Sequence, residues 1–201
     1  LYSRSMGNVQ QFVKHVRAEC KTHGIKFVLK RSTFIFTPDK IRCVGYFDTD
    51  DKKELVVAGK DRNWLMTLVH EYGHLTQWVE NCKEWREAEN IDNIDDWLNG
   101  IEVSNAKKAL AKTRDLELDN EKRAVQLIKQ WGLPINTKIY TQKANAYVQY
   151  YNYLYYTRRW HHPNNSPSKN PKVYKQMPST FSMDYKKLSD KYRKVFEDAG
   201  F

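Results

Sequence analysis

No apolar run in this chain approaches the roughly 18–20 residues that a membrane-spanning helix needs, and no repeat or low-complexity tract is visible. Cysteine is scarce. Cys20, Cys43 and Cys82 are odd in number, widely spaced and without a C-x-x-C pair, which excludes a zinc knuckle and a disulfide framework and points to reduced thiols. Leu1 to Ser5 precede Met6 and hold no apolar signal core, so they are set aside and a cytoplasmic location is expected. Acidic residues are few outside the middle of the chain. Residues 1–60 carry 12 basic against 6 acidic side chains, residues 61–121 carry 7 against 14, and residues 122–201 carry 15 against 4. A basic surface can attract nucleic acid or an acidic protein, although a merely solvated face is its commoner meaning. With 40% hydrophobic and 29% charged residues over 201 positions, the composition excludes a disordered chain and suits one folded domain.

Periodicity divides the chain. Val9, Phe12, Val13 and Val16 recur at helical spacing between Asn8 and His23, and Gly24 ends the pattern as a C-cap. From Ile25 to Gly59 the residues turn β-branched and aromatic, giving four strand candidates: Ile25–Leu29, Phe34–Phe36, Ile41–Phe47 and Glu54–Ala58. The polar run Asp48–Lys53 predicts a hairpin between the last two. A long helix follows from about Arg62 to Asn81, with Leu65, Leu68, Val69, Tyr72, Leu75 and Val79 along one broad apolar face. Residues 82–101 read as acidic and irregular, anchored by Trp85 and Trp97. Helices return at Val103–Trp131, at the tyrosine-rich Thr137–Trp160, and at Tyr185–Phe196 beyond a loop with four prolines. The order predicts an α+β fold.

The chemistry sits at His70-Glu71-Tyr72-Gly73-His74. Two histidines four apart on a helix leave the same face, so both imidazoles can reach one metal ion. Zinc accepts neutral imidazole, and Glu71, beside the first histidine, would act as the general base that takes a proton from water. Gly73 lets another element approach closely.

Zinc needs a third protein ligand. The extended pattern H-E-x-x-H-x-x-G-x-x-H fails, because Gln77 and Glu80 stand where Gly and His would be. His161 and His162 are far along the chain in a proline-rich loop. Glu117 and Glu121, four apart, share the inward face of their helix with Ala124 and Ile128, whereas Asp119 lies with Lys122, Arg123 and Gln126 on the wet side. Carboxylates on a buried stripe are costly unless something cationic receives them. Glu117 is therefore the expected zinc ligand and Glu121 the partner of a ligating histidine, His70 above all, with the exchanged assignment kept open.

These residues resemble the gluzincin metallopeptidases, in which H-E-x-x-H is followed on a later helix by a ligating Glu. Residues 70–74 match the first part and Glu117-x-x-x-Glu121 resembles the second, with the likeness spanning roughly residues 25–131. It implies a zincin-like fold with a small twisted, mostly antiparallel sheet on the active-site helix and a helical C-terminal half. A catalytic core is expected over 6–131, with residues 132–201 as a helical extension packed on it as one compact domain, although the tyrosine-rich C-terminal third matches no pattern of the family. The implied activity is zinc-dependent hydrolysis of a protein or peptide substrate, bound as an added strand on an edge that falls near Glu54–Ala58. The interval of 43 residues from His74 to Glu117 is longer than in compact members. His161, His162 and the tyrosines between Tyr147 and Tyr156 are candidates for stabilising the oxyanion. A second reading, from another class, takes Tyr155 to His162 as a basic, aromatic surface for nucleic acid.

Overall fold

The computed structural model describes residues 2–89, 94–162 and 164–201, and of residues 2–6 and 89 the backbone alone. Its elements run α1 (Tyr2–Thr22), β1 (Lys26–Lys30), β2 (Ile35–Phe36), β3 (Arg42–Cys43), β4 (Gly45–Asp48), β5 (Glu54–Ala58), α2 (Trp64–Glu80), α3 (Lys83–Glu89), α4 (Ile94–Leu98), α5 (Ala106–Gln130), α6 (Thr137–Thr157), α7 (Pro171–Tyr174) and α8 (Asp190–Asp198). The class is α+β. Two compact units form, residues 1–82 with 123–135 and residues 83–122 with 136–201.

In the first unit a three-stranded sheet has the order β1-β5-β4. β1 runs parallel to β5, with Val28 opposite Val56, and β4 runs antiparallel to it, with Tyr46 opposite Val56. The sheet is therefore mixed, where a mostly antiparallel one was expected. The predicted β4–β5 hairpin forms, and its turn is held by Asp48, whose carboxylate accepts from the Asp50 and Lys52 amides at 3.2 and 2.7 Å. The long strand candidate Ile41–Phe47 divides: its first part turns away to pair with β2 as a separate two-stranded ribbon.

β5 departs from its expected role. It is the central strand, hydrogen-bonded on both sides and buried along its whole length, because Leu55-Val56-Val57-Ala58 is apolar on both faces. No backbone edge is left on β5 for an added peptide. Among the described strands the edges of this sheet are β1 and β4.

α1 packs on β1, and α2 packs on β4 and β5. Phe12, Val16 and Cys20 of α1 are fully buried, as are Leu68 and Val69 of α2. Burial pushes the Cys20 thiol up to about 12, so it stays an apolar filler. The last turns of α5 belong to this unit. Arg123 donates to Glu80 Oε2 at 2.6 Å, and the Trp131 ring lies against Phe12 and His15. His15 Nε2 and the Tyr72 hydroxyl are hydrogen-bonded at 2.8 Å.

In the second unit, α6 supplies the tyrosine-rich core. Tyr150, Tyr153 and Leu154 pack with Phe196 of α8, Val173 and Met177. A polar row on the same helix has a different task. Gln142 donates to the Met177 carbonyl, Asn145 to those of Pro178 and Thr180, Gln149 to Lys187 and Asn152 to Tyr185. This row satisfies the backbone of an irregular segment that cannot satisfy itself. That segment explains why the last helix starts at Asp190, capped by Ser189, and not at Tyr185. Residues 82–101, expected to be irregular, hold the short helices α3 and α4, with residues 90–93 outside the described set. Trp97 of α4 is buried and stacks at 8° to the Tyr155 ring. No described helix is long and apolar enough to cross a membrane.

Replacing Phe12, which meets the Tyr72 and Trp131 rings, by Ala should cost about 3–5 kcal/mol in denaturant unfolding. Ile139→Ser, at an exposed position of α6, should fall within about 0.5 kcal/mol of wild type.

Candidate metal centre

His70 and His74 project from one face of α2, with ring centroids 4.8 Å apart and planes at 89°. The helix exists here because Leu68, Val69, Tyr72 and Leu75 bury its opposite face, so the positions of the histidines follow from packing. Glu71, also buried, stands between them in sequence.

One ligand atom each from His70, His74 and Glu117 falls within 4.8 Å of the others. Donors about 2.0–2.2 Å from a tetrahedral zinc lie roughly 3.3–3.5 Å from each other. Two imidazoles and a carboxylate are a zinc-type donor set, harder than thiolate sites and softer than the all-oxygen sites of calcium and magnesium. Glu117 and Glu121 are 8% and 6% exposed, which places both on the buried face predicted for α5. Asp119 is half-buried, less wet than its helical position suggested. A second trio, Cys82, Glu84 and Asp119, also comes within 4.8 Å, but all three are only half-buried, an arrangement common on surfaces.

His74 has a partner that sequence reasoning missed. Its Nδ1 lies 2.9 Å from Oε1 of Gln77, a side chain with no exposure. An amide oxygen only accepts, so this pairing puts the proton on Nδ1 and leaves the Nε2 lone pair for a metal. The signal was in the sequence. Gln77 breaks the extended histidine pattern, yet a residue three positions after the histidine shares its helix face.

A close backbone approach marks Glu71. Gly45, at the start of edge strand β4, lies over α2. A Cβ built there would overlap Thr67 Cγ2 and come within 3.2 Å of Glu71 Cγ and Oε1. Only glycine lets this strand lie so near Glu71. Burial, and then the Glu71 charge, push the neighbouring Cys43 thiol up to about 11, so it is protonated at neutral pH.

Two of the oxyanion candidates gain definition. Tyr147 and Tyr151 of α6 share a hydroxyl contact of 3.1 Å, and both ionise far above the usual range because they are buried and face the charges of Glu117 and Glu121. They are neutral hydrogen-bond donors. His161 instead packs on the Tyr150 and Trp160 rings, and desolvation lowers its pKa. In the basic, aromatic segment, Arg158 is committed within its own unit: it donates to the Trp97 and Ile101 carbonyls and to Glu102. Tyr156, Arg159 and Trp160 remain exposed.

No protein-family model, curated protein or solved structure matches the chain.

Gln77→Leu should weaken zinc binding about 10–100-fold in a chelator competition, with the fold retained, whereas Gln77→Glu should keep affinity at or above wild type. Gly45→Val should lower any turnover that uses Glu71 without removing the metal, read by paired activity and metal analysis.

Proposed function

We propose that the protein is a zinc-dependent peptidase of the gluzincin type, with His70, His74 and Glu117 holding the ion and Glu71 as general base. The observation that carries this reading is the convergence of three ligand atoms from His70, His74 and Glu117, with a buried carboxylate one residue after the first histidine. A purely structural zinc site has no use for such a carboxylate, since closed structural sites are filled by four ligands. Zinc in this group would supply the Lewis acidity that lowers the pKa of water towards roughly 7.

The chain's own groups divide the remaining work. Glu71 accepts a proton from the attacking water and returns it to the leaving amine, which needs a carboxylate held beside the reacting atoms. Gln77 fixes the tautomer of His74. Glu121, buried one turn after Glu117, is assigned to steady His70, the acceptor role that a second acid plays towards a ligating histidine. Tyr147 or Tyr151 would donate to the oxyanion of the tetrahedral intermediate, since both are neutral and close enough to Glu117 to feel its charge. The substrate is an extended peptide added to the edge of β4, whose first residue, Gly45, abuts Glu71. This moves the docking strand from β5 to its neighbour.

A nucleic-acid surface at Tyr156, Arg159 and Trp160 stands as the second reading. The internal commitments of Arg158 weaken it. Salt-sensitive binding of single-stranded DNA, lost in an Arg159→Ala/Trp160→Ala variant, would favour it.

Metal analysis should find about one zinc per chain (the stoichiometry of a three-ligand catalytic site), lost in His74→Ala and in Glu117→Ala. Glu71→Gln should retain the zinc while hydrolysis of peptide or protein substrates falls by a factor of at least about 100. Full turnover by that variant would sink the reading.

A further inference from the structure

The trio Cys82, Glu84 and Asp119 differs from a common surface cluster in one member, a thiol. Carboxylates gathered at a surface need no ligand to explain them. A cysteine is a small, soft side chain that ordinarily sits among apolar neighbours. Cys20 does so in the core, and Cys43 does so against Ile35, Val56 and Ala58. Cys82 departs from that rule. Its sulfur and one carboxylate oxygen each from Glu84 and Asp119 lie within 4.8 Å of one another, the same limit that His70, His74 and Glu117 meet. Cys82 is not half of a disulfide.

Backbone structure places these side chains. α2 ends at Asn81, which turns into the left-handed region at φ 47°. The Asn81 amide then donates to the Trp78 carbonyl at 3.0 Å and the Cys82 amide to the Gln77 carbonyl at 3.1 Å, the Schellman closure of a helix. Cys82 is thereby fixed at the end of α2. Glu84 follows two residues on, in the first turn of α3, and Asp119 projects from α5. The helical position of Asp119 predicts a wet side chain, yet it is half-buried, with Cys82 and Glu84 beside it.

Three cations of the same elements are engaged by other acids. Lys83 and Lys112 reach Glu87 at 3.9 and 3.8 Å, and Arg123 donates to Glu80 at 2.6 Å. Within the trio, the carboxylates of Glu84 and Asp119 repel each other at this separation. A divalent cation between them replaces that repulsion with attraction.

We propose that Cys82, Glu84 and Asp119 form a second metal site, which takes a zinc ion with water completing its coordination. The donors select the ion. Calcium and magnesium prefer oxygen throughout, and one sulfur with two carboxylates is harder than the sites that copper(I) selects. Binding converts the thiol to thiolate, and its proton passes to solvent. All three ligands are half-buried, so the ion stays open to water. It is held more weakly than at His70, His74 and Glu117, and it exchanges with zinc in solution. The zinc expected to survive purification is therefore that of the first centre, and the second ion appears on titration. The site shares no ligand with the first centre and does not rest on the peptidase reading.

The test titrates the full chain with cobalt(II), which enters zinc sites and gives an ultraviolet charge-transfer band where it meets a thiolate. The first centre has no sulfur and is silent in that band. Wild type should develop the band, and added zinc should quench it. His74→Ala should keep it, and its loss there would assign the thiolate to the first centre and overturn the proposal. Cys82→Ser should abolish it. Glu84→Gln/Asp119→Asn leaves the sulfur in place and should weaken cobalt binding by about tenfold or more, since even groups behind the ligands cost a site that much. Circular dichroism checks that each variant is folded, and Asp119→Asn by itself carries the same comparison should the double variant fail to fold. No band at saturating cobalt overturns the proposal. So does a band that Cys82→Ser retains, which would place the metal on Cys20 or Cys43. Affinity unchanged by the loss of both carboxylates overturns it as well, because the metal would then sit on an adventitious thiol.

Discussion

A carboxylate survives in a protein interior only where positive charge or hydrogen-bond donors come to meet it. Helix α5 puts two there, Glu117 and Glu121, one turn apart on the face it buries. Nothing about helix formation asks for them. Leucine or alanine at either position would bury more favourably. Their presence is the constraint from which the rest follows. One ligand atom each from His70 and His74 comes within 4.8 Å of one from Glu117, and burial, reinforced by the charges of Glu117 and Glu121, keeps Tyr147 and Tyr151 protonated.

The parts of this arrangement that depend on period were legible from residues alone. Four-residue spacing put His70 with His74 and Glu117 with Glu121, and the inward or outward sense of α5 came from Ala124 and Ile128. The apolar stripe of α2 gave its extent to within two residues at either end. The hairpin before α2 was readable from its polar turn.

Pairing beyond that hairpin was not readable. Whether β5 lies at the edge or the centre of a sheet depends on contacts across the chain, and the clue, apolar residues on both faces of Leu55–Ala58, was present but unweighted. The division of Ile41–Phe47 into two strands turns on a change of direction at Val44, which no propensity encodes. Gln77 and Gly45 show another limit. Each matters through one neighbour, a histidine for the first and a glutamate for the second, and neither residue type announces that neighbour. The polar row Gln142, Asn145, Gln149 and Asn152 was hidden among tyrosines, although its spacing is as regular as theirs.

The two compact units are each assembled from separate stretches of chain, and α5 passes from one to the other without a break. During synthesis the first unit must wait for residues 123–135, after some forty residues of the second have already emerged. Neither is complete on its own until late, so α1 and α2 of the nascent chain still await the Trp131 ring and the Arg123 side chain. Cutting the gene between codons 82 and 123 would therefore yield no self-sufficient half, and the natural fragments of this fold are interleaved rather than consecutive.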